Sequence, residues 1–199
     1  MNNTQVELVK FNDDLLAEIW KQGFSEEKPE WKNWDGPYFE NDYRSYDSID
    51  QFIQSDIYSF FMDDQRRCIL FNGDPVGMVG RYWKDENTRW LEIGITIYNP
   101  RFWSGGIGSL ALKLWISEIF NHLSELEHIG LTTWSGNQRM MRAAEKLGMK
   151  KEAHVRKVRF WKNHYFDSLS YGILREEWEA ELLKDSEIMP RETEITDLN

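Results

Sequence analysis

Residues 90–109 of the chain read WLEIGITIYNPRFWSGGIGS, and this stretch decides the fold. Residues 90–98 are rich in β-branched and aromatic side chains, which predicts a strand. After the glycines, apolar side chains recur at the spacing of one helix face, at positions 112, 115, 116, 119, 120 and 123. The stretch and its continuation therefore predict a strand, a glycine turn and an amphipathic helix.

The glycine turn suggests a chemistry of its own. Gly105, Gly106 and Gly108 have no Cβ, so a ligand can approach the backbone and meet several N–H groups. Those groups and the dipole of the following helix favour an anion such as a pyrophosphate. The spacing is neither that of a P-loop nor that of the dinucleotide-binding GxGxxG motif. A tight turn that binds nothing is the alternative interpretation.

Outside this unit, apolar runs alternate with turn signals. Asn72 and Gly73 join two apolar runs and predict a β-hairpin. Residues 25–50 show no sustained periodicity and predict an irregular loop rich in aromatic side chains. The further predicted strands are 5–8, 68–71, 75–83, 128–134, 153–161 and 166–174, and the further predicted helices are 13–20, 50–61, 138–147 and one from 176.

Length and element order together predict the domain organisation. At 199 residues the chain is long enough for one domain with its own core. The mixture of strands and helices predicts an α/β (α+β) fold over residues 1–185. Residues 186–199 predict an acidic, loose tail.

Charge and composition exclude several classes of protein. The net charge of −10 argues against nucleic acid as a partner and favours a cationic one, although it can also serve solubility alone. No apolar run is long enough to span a membrane, and residues 1–14 contain no apolar signal segment, so we expect a soluble, cytoplasmic protein. Cys68 is the single cysteine and lies in an apolar run, which predicts a buried strand thiol rather than a nucleophile. The four histidines show no metal-ligand spacing, so no metal is predicted.

Two motifs taken together resemble one known family. The first is the strand and glycine turn of residues 92–108, and the second is Thr-Trp-Ser-Gly-Asn at 133–137 followed by Ala-Glu-Lys-Leu-Gly-Met at 144–149. Together they resemble the GNAT family of acetyl-CoA-dependent N-acetyltransferases. Within it the sequence is most similar to the branch that acetylates the amino termini of ribosomal proteins (RimJ/RimL-like). The resemblance is strong over about residues 66–178 and faint before them.

The resemblance implies a mixed, twisted β-sheet flanked by helices and splayed between its fourth and fifth strands, where acetyl-CoA enters. Backbone N–H groups of the glycine turn would hold the pyrophosphate, the edge of the fourth strand would pair with the pantetheine arm, and an asparagine would bind the arm. Trp103 at the first place of the turn suits the amino-terminal branch. The residues so implied are Ile95, Thr96, Ile97, Trp103, Ser104, Gly105, Gly106, Ile107, Gly108, Ser109 and Asn137. Asn137 is also well placed to cap the helix that follows it.

For catalysis the resemblance implies direct attack by an amine, with Glu92 as the base. A strand glutamate on the surface with no role is the alternative. Many family members carry a tyrosine seven residues after the asparagine to protonate the thiolate, but here the residue is Ala144, so no general acid is assigned. Weaker candidates lie on the last two strands or their hairpin, and Asp167 is expected to support that hairpin; these candidates are His154, His164 and Tyr165.

The acceptor is the least determined part. Residues 33–56 interleave aromatic side chains with six acids, Asp35, Glu40, Asp42, Asp47, Asp50 and Asp56. Such a wall would attract a cationic amine, whereas the alternative is a solvated loop with its aromatics packed inward. The branch favours a protein amino terminus over an aminoglycoside or a polyamine. A non-catalytic acyl-CoA-binding module is a further alternative, and members of the branch are often homodimers.

Overall fold

The computed structural model describes residues 5–39 and 43–188, with side chains up to residue 184. The strands are β1 Val6–Val9, β2 Arg66–Phe71, β3 Asp74–Asp85, β4 Trp90–Ile97, β5 His128–Trp134, β6 Lys150–Trp161 and β7 His164–Leu174. They form a seven-stranded sheet with the order β1-β2-β3-β4-β5-β7-β6. The α-helices are α1 Asp13–Gly23, α2 Ile49–Ile53, α3 Asp56–Met62, α4 Ile107–His122, α5 Gln138–Lys146 and α6 Arg175–Ile188, with short 3-10 helices at Glu30–Asn33 and Pro100–Phe102.

The sheet opens between β4 and β5. These strands form the parallel pair of the sheet, and they pair only at Leu91 with Ile129 and at Glu92 with Gly130. The other neighbouring strands pair antiparallel over most of their length. Beyond Glu92 the two strands part, which confirms the splay predicted at this place.

Two apolar cores cover the two faces of the sheet. Helices α4, α5 and α6 pack on one face, and α1, α2 and α3 pack on the other. Leu91 and Ile93 of β4 point into the first core. Because side chains alternate along a strand, Glu92, Gly94 and Thr96 face the side of α1–α3. One strand thus anchors the larger core and presents polar and small residues to the opposite face.

The element boundaries differ from the sequence predictions in a few places. The helix predicted over 50–61 is two helices, because the hydroxyl of Ser55 donates to the carbonyl of Phe52 at 2.6 Å and the backbone of Ser55 is extended. The loop predicted over 25–50 contains the 3-10 helix Glu30–Asn33. The last helix continues to Ile188, and the rest of the segment predicted as a loose tail lies outside the described residues.

The pairing of β3 with β4 generates a stability prediction. A Cβ on Gly77 would lie 2.2 Å from the backbone oxygen of Thr96, whereas a Cβ on Gly94 would have no heavy atom within 4 Å. Gly77→Ala should therefore lower the free energy of unfolding by about 1–3 kcal/mol, as overpacking does. Gly94→Ala is the matched control and should leave it nearly unchanged. Urea unfolding followed by circular dichroism measures both, and equal losses would contradict the close approach at Gly77.

Candidate active site in the gap of the sheet

A cavity of about 650 Å³ lies where β4 and β5 part. Residues from both faces of the sheet line it: Gly108 and Leu112 of α4 on one side, and Tyr82 and Thr96 on the other. Trp34 and its neighbours in the loop after α1 close part of its wall. The gap therefore connects the two faces of the sheet.

The glycine turn lies at the end of this cavity on the α4 side. Ser104 and Gly106 adopt left-handed conformations with φ of 63° and 84°, and Gly106 is the residue before the first turn of α4. The first N–H groups of a helix have no carbonyl partner within the helix, so they are left for a ligand. Together with the helix dipole, the turn is suited to bind an anion at the cavity wall.

Most residues that the resemblance implies for the cofactor meet at the cavity. Ile107 points into the core and is 4% exposed, so only its backbone can take part, and Gly105 does not line the cavity. The implied residues that line it are Ile95, Thr96, Ile97, Trp103, Ser104, Gly106, Gly108, Ser109 and Asn137.

At the carboxyl end of β4, a side chain of the protein already bonds to the strand edge that faces β5. The indole Nε1 of Trp103 donates to the carbonyl of Ile97 at 2.8 Å. This bond fixes the start of the turn against the end of the strand. On the edge of β4 that faces β5, the carbonyl of Ile97 is therefore bonded to Trp103, and the part from Ile93 to Thr96 has no strand partner on that side.

Asn137 begins α5 and also holds the loop over the cavity. Its Oδ1 accepts from the N–H of Met140 at 3.1 Å, which confirms the predicted cap. Its Nδ2 donates to the carbonyl of Trp34 at 3.1 Å, and the indole of Trp134 donates to the same carbonyl at 3.2 Å. An amide nitrogen has two hydrogens, so a second N–H of Asn137 is available to a ligand.

A cation packs between the loop and the turn. The Arg139 guanidinium lies 4.3 Å from the ring centre of Trp34 and 4.4 Å from that of Trp103. Cation–π contacts of this kind are worth roughly 0.5–2 kcal/mol. The loop, the glycine turn and the start of α5 are therefore held together at one mouth of the cavity.

The lining of the cavity is cationic although the whole chain is acidic. Among the described lining residues Asp35 is the acid, and the bases are Arg66, Arg81, Arg139, Arg142 and Lys146. The chain as a whole carries −10. The site therefore favours an anionic ligand against the charge of the surface around it.

The acids of residues 33–56 that the structure describes do not form the acidic wall that was one of the two interpretations of this segment. Asp35 lines the cavity, whereas Asp47, Asp50 and Asp56 do not, and Glu40 and Asp42 lie outside the described residues. Aromatic burial explains this arrangement, because the loop turns its large rings into the core of α1–α3. The rings packed there include Trp31, Tyr43 and Tyr46.

Glu92 is buried in the opened sheet, which excludes the alternative of a strand glutamate on the surface. It is 3% exposed, and two hydroxyls donate to its carboxylate: Tyr82 to Oε2 at 2.5 Å and Thr132 to Oε1 at 3.0 Å. Thr132 in turn lies 3.2 Å from the hydroxyl of Ser170. Tyr82 and Thr132 line the cavity, while Glu92 lies behind them. Burial, and then the adjacent carboxylate, raise the pKa of Tyr82 well above its usual value.

Sequence reasoning missed both hydroxyl residues. Tyr82 lies directly opposite Glu92 in the β3–β4 pairing, and Thr132 lies on β5, two residues after the partner of Glu92. The hairpin register would have identified Tyr82. Thr132 follows only from the pairing of strands distant in sequence.

The weaker candidates lie away from the cavity. His154 pairs with Asp167 at 2.6 Å, and this contact, followed by the N–H of Lys157, lowers the pKa of the Asp167 carboxyl. Asp167 thus ties β6 to β7, as expected for a residue that supports the hairpin. His164 and Tyr165 are exposed on the same hairpin.

Two further positions and a search for metal sites bear on the chemistry. Ala144 is fully buried in the core of α4–α6 and offers no acid. Cys68 is buried on β2, as predicted. Within the described residues, no group of three or more His, Cys, Asp or Glu side chains could hold a metal ion.

A search of the described helices for a membrane span finds none that is both long and apolar enough to cross a bilayer.

Comparison with known proteins identifies the fold family. The model of the family described as "Acetyltransferase (GNAT) domain" matches residues 6–150.

Two Bacillus subtilis (strain 168) proteins are similar in sequence. The "SPbeta prophage-derived uncharacterized N-acetyltransferase YokL" is 29% identical over 118 residues, which cover 58% of this chain and 66% of the relative. The "Putative ribosomal N-acetyltransferase YdaF" is 28% identical over 113 residues, covering 57% of this chain and 61% of the relative. The chain thus spans less than two thirds of the length of these curated relatives.

Solved structures confirm the GNAT-like fold class. A GNAT-family acetyltransferase from Bacillus anthracis superposes with a TM-score of 0.66 at 19% identity, covering 87% of this chain and 96% of that one. A GCN5-related N-acetyltransferase from Brucella melitensis gives 0.67 at 16% identity, over 96% and 84% of the chains. Mutant forms of the spermidine/spermine N-acetyltransferase SpeG from Vibrio cholerae give 0.63 at 19% identity, over 89% and 99%. At these identities the likeness concerns the fold alone.

Cys68 provides a test of the buried strand next to the site. Burial raises the pKa of its thiol to about 12. At pH 8 a disulfide reagent such as DTNB should leave the native protein unmodified over a time in which the urea-unfolded chain reacts completely. Because the folded pKa exceeds the unfolded value of about 8.5, this thiol should also lower the stability progressively as the pH rises from about 8.5 towards 12. Rapid native modification at pH 8 would contradict the burial.

Proposed function

We propose that this chain, which belongs to the GNAT acetyltransferase domain family, transfers the acetyl group of acetyl-CoA to a primary amine by direct attack in a ternary complex. The observation that carries the proposal is the cavity between β4 and β5. It joins a cationic end with free N–H groups to an end that holds a buried carboxylate. These are the two environments that acetyl transfer to an amine requires.

The residues of the cavity fit acetyl-CoA. The N–H groups of residues 104–109 and the cations of Arg142 and Lys146 suit its phosphates. The edge of β4 from Ile93 to Thr96 can receive the pantetheine arm as a neighbouring strand would, and the second N–H of Asn137 can bind the arm. Acetyl-CoA supplies the thioester carbonyl, and a backbone N–H of β4 would polarise it.

Glu92 is the proposed proton acceptor. The attacking amine must be neutral, so a proton has to leave it before attack. Glu92 is the carboxylate at the end of the cavity away from the glycine turn, and two hydroxyls donate to its oxygens. Cys68 does not line the cavity and its thiol stays protonated, which disfavours an acyl-enzyme.

The charge of the cavity favours an acceptor with a single amine, and we propose the amino terminus of a protein. A polyamine or an aminoglycoside carries several positive charges, whereas the described lining of the cavity has five bases and one acid, Asp35. An α-amine has a pKa near 8, so a substantial fraction is already neutral at physiological pH. The name of the relative YdaF points to the same class, whereas the fold neighbour SpeG is named for polyamines.

A non-catalytic acyl-CoA-binding module is the second candidate. The observation that favours it is Ala144, which leaves no tyrosine at the place expected for the general acid. Both candidates require acetyl-CoA binding, and turnover separates them.

Binding of acetyl-CoA should depend on the cations of α5. In calorimetric titration the wild type should bind acetyl-CoA in the micromolar range and ATP far more weakly. The double variant Arg142→Ala/Lys146→Ala should bind acetyl-CoA at least roughly tenfold more weakly, because charge-assisted hydrogen bonds contribute about 1.5–3 kcal/mol each. Arg156→Ala, an exposed arginine on β6 outside the cavity, is the matched control and should bind like the wild type. Equal affinity for ATP would argue against the proposal.

Turnover should depend on Glu92. With a panel of peptides bearing a free α-amine, spermidine and an aminoglycoside, CoA release should be fastest with a peptide. Glu92→Gln should lower kcat on the order of 100-fold, the usual contribution of a positioned base, without changing acetyl-CoA affinity. Glu7→Gln changes an exposed strand glutamate and serves as the control. No turnover of the wild type with any amine would favour the binding module, and unchanged turnover of Glu92→Gln would remove Glu92 from the mechanism.

A further inference from the structure

The carboxylate of Glu92 is screened from the cavity by a tyrosine. Glu92 is 3% exposed and does not line the cavity, whereas Tyr82 is 44% exposed and does. The phenolic hydroxyl lies 2.5 Å from Oε2 of Glu92. An amine in the cavity therefore meets the phenolic oxygen before it can meet the carboxylate.

We propose, on the premise of the acetyl transfer proposed above, that Tyr82 is a catalytic residue that passes the proton of the amine to Glu92. Glu92 then acts through Tyr82 rather than by touching the substrate. No sequence motif marks Tyr82, and its pairing with Glu92 follows from the register of β3 with β4.

The hydrogen-bond directions support the relay. Both hydroxyls next to Glu92 donate to it, as an ionised carboxylate requires, since it can only accept. The hydrogen of Tyr82 is therefore directed at Oε2, and its oxygen lone pairs are left for a donor from the cavity. Tyr82 and Glu92 are directly opposite each other in antiparallel strands, so the backbone fixes their distance.

Tyr82 and Glu92 together account for the proton that leaves the amine before attack. The acceptor arrives as an ammonium ion and gives one N–H proton to the oxygen of Tyr82 while the phenolic hydrogen passes to Oε2 of Glu92. The products of this step are a neutral amine, a neutral phenol and a carboxylic acid. The amine nitrogen then forms the C–N bond, the C–S bond breaks, and the second proton of the nitrogen leaves with the sulfur as the thiol of CoA. Glu92 returns its proton to solvent through Tyr82 after product release.

The relay must be concerted, because Tyr82 cannot act as a base by itself. Burial and the neighbouring carboxylate hold its pKa well above the usual value, so a free tyrosinate is not formed at neutral pH. The phenol can accept a proton only while it gives one away.

Thr132 has a different role from that of Tyr82 in this proposal. Its hydroxyl also lines the cavity, but it is shared between Oε1 of Glu92 at 3.0 Å and the hydroxyl of Ser170 at 3.2 Å. Because its hydrogen is directed at Oε1, Thr132 accepts from Ser170, whereas the phenolic oxygen of Tyr82 accepts from no group among the described residues. Thr132 is a positioning residue that orients the carboxylate towards Tyr82.

The test compares Tyr82→Phe, Glu92→Gln and the double variant, with a peptide amine that the wild type acetylates. Tyr82→Phe should lower kcat on the order of 100-fold, with acetyl-CoA affinity and thermal unfolding unchanged. Because the two residues form one relay, the double variant should be no slower than the slower single variant. The rate of acetyl transfer is then measured in mixtures of light and heavy water and plotted against the fraction of deuterium. The wild-type plot should be curved, because two protons move together in the relay, and the plot for Tyr82→Phe should be linear.

Two further variants separate a relay from a structural role. Thr132→Val should lower kcat less than Tyr82→Phe and keep the curved dependence, and Tyr165→Phe, an exposed tyrosine outside the cavity, should match the wild type. Replacement of tyrosine by 3-fluorotyrosine preserves the fold and should shift the rate of the wild type, but not that of Tyr82→Phe. The relay would be overturned if the double variant lost activity by the product of the two single losses, or if Tyr82→Phe turned over like the wild type. Either result would leave the proposal of acetyl transfer standing. A wild type that acetylates no amine would overturn the proposed function itself.

Discussion

The interruption of pairing between β4 and β5 is the constraint on which the site depends. The strands share only the pairs Leu91–Ile129 and Glu92–Gly130 before they part. Backbone N–H and C=O groups within a fold need partners, and along this edge the next strand does not supply them. The indole of Trp103 satisfies the carbonyl of Ile97. The N–H and C=O groups of the remaining edge need water or a ligand with amide groups of its own as hydrogen-bond partners. The opening of the sheet therefore leaves backbone groups that a ligand can bind.

Strand alternation explains how β4 can serve both stability and chemistry. Leu91 and Ile93 contribute to the core under α4, so the strand is held in place although one edge is open. The residues between them face the other side of the sheet. Glu92 is buried there with no ion pair to a residue that the structure describes, and its desolvation is offset by hydroxyls from both neighbouring strands. The carboxylate is therefore available only where β3, β4 and β5 meet.

The parts of the fold with local signals could be predicted from the sequence. Strand β4, the glycine turn, α4 and the Asn137 cap each follow from periodicity or from a residue type with a specific backbone role. Tyr82 and Thr132 could not be found this way, because their importance comes from register across strands. For residues 33–56 the composition left two interpretations open, an acidic wall and a loop with its aromatics packed inward. Tyr43 and Tyr46 pack against the core of α1–α3, so the described part of the loop follows the second interpretation.

Charge acts in opposite senses outside and inside the cavity. The chain carries −10, so its field attracts cations and weakly repels a phosphate-bearing ligand at a distance. Screening limits that repulsion to about 8 Å at physiological salt, whereas the lining cations and the N–H groups of the turn act at contact. The lining cations and the N–H groups of the turn, rather than the net charge of the chain, therefore dominate the interaction with an anion in the cavity. A polycation would be attracted to the surface and then opposed by the cations of the lining, which is the electrostatic reason for proposing an acceptor with a single amine.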